Sequence, residues 1–236
     1  MQSLIDRRDF LLGVGGMLAL SKASGSVREG ISSRIDHIIL GCNDLNVGID
    51  LVSARTGVHP TFGGVHPRAG TRNALLRLGE RLYLEILAPD PEQLRETDRR
   101  NLRKLAAPRL VGWAVHTDDI EHTVETIRAA AIAATGAEAG SRQRPDGQML
   151  AWRTAYIKDD ANGLMPFFIE WDARSVHPSM NAPPGCHLEV FELCVPDPAA
   201  FRQRLEVLRL DVPVTKAQTP HLHAIVLGAR GKLDLS

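Results

Sequence analysis

The chain has 236 residues, with 28 basic and 28 acidic side chains and a formal net charge of zero. That length buries a sizeable core, as one domain or as two closely packed halves. The balanced charge gives no basic surface for nucleic acid or an anionic membrane, and leaves a small-molecule site as the default expectation.

Taken in chain order, the first segment reads as an address rather than as structure. Arg7-Arg8-Asp9-Phe10-Leu11-Leu12 precedes a modestly apolar run from Gly13 to Leu20 and a small-residue stretch from Ser21 to Ser26 that includes Lys22. Paired arginines before a weak apolar segment resemble a twin-arginine export signal, cleaved near Ala23 and giving a periplasmic product. The apolar run is too short for an ordinary bilayer span, so no stable membrane anchor is expected after signal removal. An oxidising compartment favours disulfides, yet Cys42, Cys186 and Cys194 are odd in number and lack a Cys-x-x-Cys spacing. They read as small buried residues, as suits a chain folded before export. A polar linker from Ser24 to Ser33 completes a first region over residues 1–33.

Ile35 to Cys42 reads as a strand, Asn43-Asp44 as a helix cap, and Leu45 to Thr56 as an amphipathic helix stopped by Gly57. Val58 to Gly70, rich in Gly, Pro and His, fits a short strand with a loop. Thr71 to Leu78 and Arg81 to Leu87 fit two strands joined by a hairpin at Gly79-Glu80. The order is βαβββ. A charged connector helix is expected from Pro91 to Ala106. The order then repeats: strand Leu110 to Thr117, cap Asp118-Asp119, helix to Ala134, loop Gly136 to Gly147, then strands Met149 to Lys158 and Leu164 to Trp171 around a turn at Asp159 to Gly163. Residues Cys186 to Ser236 begin a third time. Strand His187 to Val195, turn Pro196-Asp197-Pro198, helix Ala199 to Arg209 and strands near Val212 and from Ala224 to Leu227 read as a partial module.

The two full copies share more than order. Each closing strand, Leu82 to Leu87 and Pro166 to Trp171, holds one glutamate inside an apolar run. A carboxylate there is costly to bury unless something pairs with it, and a metal ion is one such partner.

Ile35-Asp36-His37-Ile38-Ile39, Gly70-Thr71-Arg72-Asn73-Ala74-Leu75, Tyr83-Leu84-Glu85-Ile86, Arg144-Pro145-Asp146-Gly147 and Pro166-Phe167-Phe168-Ile169-Glu170-Trp171 together resemble the glyoxalase-like domain proteins of the vicinal oxygen chelate superfamily. The resemblance implies an α+β fold: two βαβββ modules (34–90 and 109–173, within a domain over 34–180) forming a curved mixed sheet around a cavity, with a partial βαβ-type extension over 181–236 packed on the same domain. The modules pair within one chain or across a homodimer. The superfamily hosts isomerases, dioxygenases, epimerases, lyases and binding proteins, so fold alone does not give the reaction.

The resemblance also implies a divalent metal in the cavity, held by the first and last strand of each module. In module one those positions fall on His37 and Glu85. Matching Asp44 with Asp119 sets Gly112 against His37 and Glu170 against Glu85. His37, Glu85 and Glu170 are then the expected metal ligands, and the fourth position is empty or open to water. His116 lies two residues along the same strand face, about 6.6 Å away at ordinary strand rise, and His66 lies in Gly63-Gly64-Val65-His66-Pro67; both are candidates to complete the set. One imidazole and two carboxylates suit Zn, Mn, Fe or Ni. Each glutamate has a plainer alternative, Glu85 pairing with Arg72, Arg77 or Arg81 and Glu170 with Arg153.

Arg72, Asn73, Arg144, Arg153 and Trp152 are the expected substrate contacts, because guanidinium forks suit a carboxylate or phosphate. Arg142 reads as an ordinary surface arginine. Trp113, Trp152, Trp171, Tyr83 and Phe167 wall a pocket or fill the core. The leading expectation is a metal-dependent lyase or isomerase acting on a small oxygenated, anionic molecule, with Glu85 or Glu170 moving the proton. A dioxygenase is a second enzymatic option, and a periplasmic sequestration protein the non-enzymatic one.

Overall fold

The computed structural model describes residues 34–93 and 100–236. The export segment expected over residues 1–33 and part of the connector helix expected from Pro91 therefore lie outside the described residues. Of that connector, residues 102–104 form a single 3-10 turn. No helix among the described residues is long and apolar enough to cross a membrane.

Module one comprises β1 (Ile35–Gly41), α1 (Leu45–Thr56), β2 (Thr61–His66), β3 (Thr71–Gly79) and β4 (Leu82–Pro89). Module two comprises β5 (Arg109–His116), α2 (Ile120–Ala129), β6 (Glu138–Gln143), β7 (Met149–Tyr156) and β8 (Phe167–Trp171). Asp44 and Asp119 cap the two helices as the sequence suggests, accepting from the amides of Asn46 and His122. β6 occupies what the sequence presents as a loop. Its residues are polar and mostly solvated, as an edge strand permits, so no apolar alternation marks it.

The modules pair within the chain. β1 lies antiparallel to β5, and the eight strands form one sheet in the order β2-β3-β4-β1-β5-β8-β7-β6. The sheet curls until its edge strands β2 and β6 meet. Strand alternation then divides the side chains. His37, Ile39, Tyr83, Glu85 and Leu87 face the concave side, while Ile38, Leu40, Leu84 and Ile86 face the convex side in an apolar core.

That core is closed by the C-terminal segment: β9 (His187–Val195), α3 (Pro198–Val207), β10 (Val214–Lys216), β11 (His221–Gly228) and β12 (Gly231–Leu235). The segment is βαβββ in sequence, fuller than the expected partial βαβ unit. Its strand order, β10-β9-β11-β12, differs from that of the modules. Phe191, Leu193 and Leu222 join the convex core, where Trp113 meets Phe191 at 5.3 Å. Trp113 is thus a core residue, with its indole N–H donated to Leu164 O, and it takes no part in the cavity.

Candidate functional site

The concave face encloses a cavity of about 890 Å³. Its chemistry begins at a bulge in β1. The register against β5 slips between Ile35 and His37, so Asp36 is inserted as an extra residue, and a bulge breaks the alternation of side chains. Asp36 and His37 can therefore touch, with His37 Nδ1 2.7 Å from Asp36 Oδ1. Asp36 Oδ2 accepts from Trp171 Nε1 at 2.9 Å and from His177 Nε2 at 3.0 Å. Burial alone would raise this carboxyl, but the hydrogen bonds from His177 and His37 and their charges more than reverse it, and Asp36 is held far below the usual carboxylate range. An ionised Asp36 requires the proton of His37 to sit on Nδ1, which leaves Nε2 facing the cavity.

Glu85 lies across from it, its Oε2 3.8 Å from His37 Nε2. Asn73 on β3 donates to Glu85 Oε1 at 2.6 Å, and His66 Nε2 is 4.0 Å from the same oxygen. Burial pushes Glu85 up, yet the charges of His37 and His66, the Asn73 bond and Arg100 bring it below its ordinary value. None of the arginines expected beside Glu85 pairs with it. Tyr83 stacks on the His37 ring at 4.6 Å. Trp152, Tyr156, Phe167, Ile169 and Trp171 form the opposite wall, and Arg68, Arg100 and Arg142 add positive charge.

His66 is pulled down to about 4 by burial, with Arg142, Arg100 and His37 adding to the effect and Glu85 opposing it. Its folded pKa thus lies below the unfolded value near 6.5, so between those limits the unfolded chain binds a proton that the folded chain refuses. Stability rises with pH through that window, by about 3 kcal/mol in total, and His66 contributes nothing above it. Denaturation midpoints of the wild type and His66→Gln from pH 7 to 4 check this. The wild type should lose more stability than the variant, and parallel curves would exclude His66 as the titrating group.

The remaining expected site residues lie elsewhere. Glu170 points to the other face of β8, where Arg153 Nη2 bonds both its oxygens at 2.9 and 2.8 Å and the Ile120 amide donates at 2.8 Å. Glu170 thus anchors the first turn of α2, and Arg153 is its partner rather than a cavity residue. Arg72 is on the outward face of β3. Arg144 pairs with Asp146 at 3.0 Å and lines a separate small pocket. His116 does not line the cavity; its Nε2 bonds Asp118 at 2.9 Å. Glu85, Asn73, His37, His66 and Trp152 are the expected residues that the fold brings together.

Strand register explains why Glu170 is misplaced. Ile39 pairs with Glu85 in module one. The matching pair in module two, with Asp44 set against Asp119 as before, is Ala114 with Phe167. Phe167, not Glu170, is the counterpart of Glu85. Sequence reading also misses Asp36, whose carboxylate in an apolar strand was a signal of the same kind as Glu85, and Arg142, which nothing local distinguishes from a surface arginine.

The residues present do not fit the four-ligand metal centre that the resemblance implies. Gly112 and Phe167 stand at both module-two positions, and neither can ligate. A Cβ on Gly112 would meet Arg100 Nε at 3.7 Å, so a guanidinium covers the gap. Glu85 is already bonded to Asn73. Among the described residues no group of three or more His, Cys, Asp or Glu side chains converges as a metal site.

The glyoxalase-like domain family matches residues 35–208. No curated protein matches the chain. Among solved structures, a hypothetical protein from Staphylococcus aureus is similar with a TM-score of 0.66 and 16% identity, over 86% of this chain and 98% of that one. Methylmalonyl-CoA epimerase from Streptomyces coelicolor, a variant in complex with 2-nitronate-propionyl-CoA, has a TM-score of 0.45 and 20% identity, over 61% of this chain and 97% of that one. The epimerase from Mycobacterium tuberculosis has a TM-score of 0.41 and 16% identity, over 62% of this chain and 92% of that one. With its family match spanning both modules and its nearly closed sheet of paired βαβββ units, the chain belongs to the glyoxalase-like domain family.

Proposed function

We propose that the chain is a lyase or isomerase that removes a proton from carbon next to a carbonyl in a small oxygenated molecule, with His37 as the base. The observation that supports this most directly is the buried Asp36–His37 pair, 2.7 Å apart, behind an imidazole that lines the cavity. Asp36 fixes the tautomer and stabilises the imidazolium that forms when Nε2 accepts a proton. Glu85, held ionised and fixed by Asn73 across the site, can take the proton from the His37 imidazolium, whose Nε2 lies 3.8 Å from Glu85 Oε2, and return it to a different atom of the substrate. Arg100, over Gly112, lies in the same cavity as a cation toward which negative charge on the substrate oxygen can develop. No step requires a metal.

The loss of both module-two ligands also favours a second reading, a sequestration protein that binds without chemistry. Loss of C–H signal in D₂O, followed by NMR across a panel of 2-oxo acids and 1,3-dicarbonyl acids, separates the two. The enzyme reading expects exchange with at least one acid that binds saturably, abolished in His37→Ala and unaffected by prior dialysis against a chelator. Saturable binding in calorimetry with no exchange above buffer, for every acid that binds, sinks it in favour of sequestration.

A further inference from the structure

The β6 wall of the cavity holds a buried cation, Arg142, with no ion-pair partner in contact among the described residues; Glu85 acts on it only at a distance. Arg142 is 4% exposed, and its Nη1 donates to Gly63 O. Gly63 sits at a bulge in β2, skipped in the register with β3, so its carbonyl is available to a residue of β6. This contact helps to close the sheet, but it uses one of the five N–H groups of a guanidinium. No carboxylate among the described residues lies within 4.0 Å of Arg142. Arg142 borders both the main cavity and the small pocket beside it. Burying a guanidinium without an anion is costly, and closing a sheet edge needs only a neutral donor.

The neighbouring wall is aromatic and rigid. Trp152 and Trp171 lie 5.5 Å apart, and Tyr156 stacks on Phe167 at 5.2 Å. Trp171 is fixed by its bond to Asp36. Trp152 lies flat over Gly140, its cross-strand partner, where any Cβ would collide with the indole. A side chain at Gly140 would push Trp152 off the cavity wall, so the glycine keeps the ring in place. A volume of about 890 Å³ is also near the top of the range for sites that hold drug-sized ligands, far more than a three-carbon acid fills.

We propose that the cavity takes an organic acid with a flat aromatic body, its carboxylate on Arg142 and its body against Trp152 and Trp171. The assignment deepens the reading of this cavity as the site of proton transfer. It places the acid group on the β6 side and the reacting carbon between the two, beside His37 and Glu85.

The test uses 2-naphthoate and its neutral isostere 2-naphthamide as probes, with binding followed by calorimetry and by indole fluorescence. The wild type should prefer the acid roughly tenfold or more, as a charge-assisted bidentate contact implies. Arg142→Met should abolish that preference while remaining folded, since removal of a buried charge offsets loss of the bond to Gly63 O. Arg142→Lys, which keeps the charge, should retain a smaller preference for the acid. Trp152→Ala should weaken acid and amide alike. Equal binding of acid and amide by the wild type overturns the proposal, as does an undiminished preference in a folded Arg142→Met, or no saturable binding of naphthoate up to about 1 mM. His37→Ala should keep the preference. A preference that survives where proton exchange is absent in every protein would therefore remove the catalytic reading and leave the acid site standing.

Discussion

Replacing Asp36 with asparagine should damage stability and chemistry together, and more than any other single isosteric change in the chain. The carboxylate accepts from three N–H donors: His37, His177 and Trp171. An amide has one acceptor oxygen and turns its own NH₂ toward at least one of those donors, leaving buried polar groups unpaired. The expected loss is about 3 kcal/mol. Proton exchange should fall by on the order of a hundredfold or more, because the tautomer that exposes Nε2 of His37 is no longer enforced. The pH dependence has a definite sign. Asp36 has its folded pKa depressed, so its stabilisation is fully present above the unfolded carboxylate value near 3.9 and drains away as pH falls below it. Urea titrations at pH 7 and pH 3 measure this. The gap between wild type and Asp36→Asn should be widest at pH 7 and smaller by about 1 kcal/mol at pH 3, because the loss is complete only once pH falls through the much lower folded value. A variant as stable as the wild type at pH 7 would show that the three donors do not depend on the carboxylate.

That network was only half visible in the sequence. Apolar alternation and the caps at Asp44 and Asp119 marked the strands and helices of both modules, because these are local properties of ten or so residues. The consequences of pairing were not local. A bulge at Asp36 arises only when β1 meets β5, and it is what lets adjacent residues share hydrogen bonds. His177 comes to Asp36 from far along the chain, where it caps a 3-10 turn (Pro178–Met180). β6 looks like a loop in the sequence because an edge strand of polar residues has no apolar period. Arg142 lies on that strand, and so its burial could not be anticipated. Glu85 was legible because its strand is apolar on both faces. Glu170 looked equivalent by composition, yet it sits at the wrong parity: Phe167, Ile169 and Trp171 face the cavity, and Phe168 and Glu170 do not.

The correspondence of Phe167 with Glu85 predicts how a metal centre could be restored. Gly112→His combined with Phe167→Glu should place an imidazole and a carboxylate at the module-two positions, completing four donors with His37 and Glu85. A Cβ at Gly112 makes only ordinary contact, with Arg100 Nε at 3.7 Å, so the long Arg100 side chain has to swing aside for the imidazole. The cost falls on Phe167, 9% exposed, whose loss from the cavity wall should destabilise the metal-free variant by about 3 kcal/mol. Zn²⁺ or Ni²⁺ should recover that stability, because a ligand that binds only the folded state stabilises it by mass action. Calorimetric titration should show the double variant binding at least about a thousandfold more tightly than the wild type, since four convergent N and O donors replace two. Gly112→His alone is the decisive control. If Glu170 were the true counterpart of Glu85, that single change would already assemble His37, Glu85 and Glu170 with a new imidazole and bind as tightly as the double variant. The register of β5 with β8 predicts that it will not, because Glu170 remains on the far side of the sheet with Arg153 and the first turn of α2.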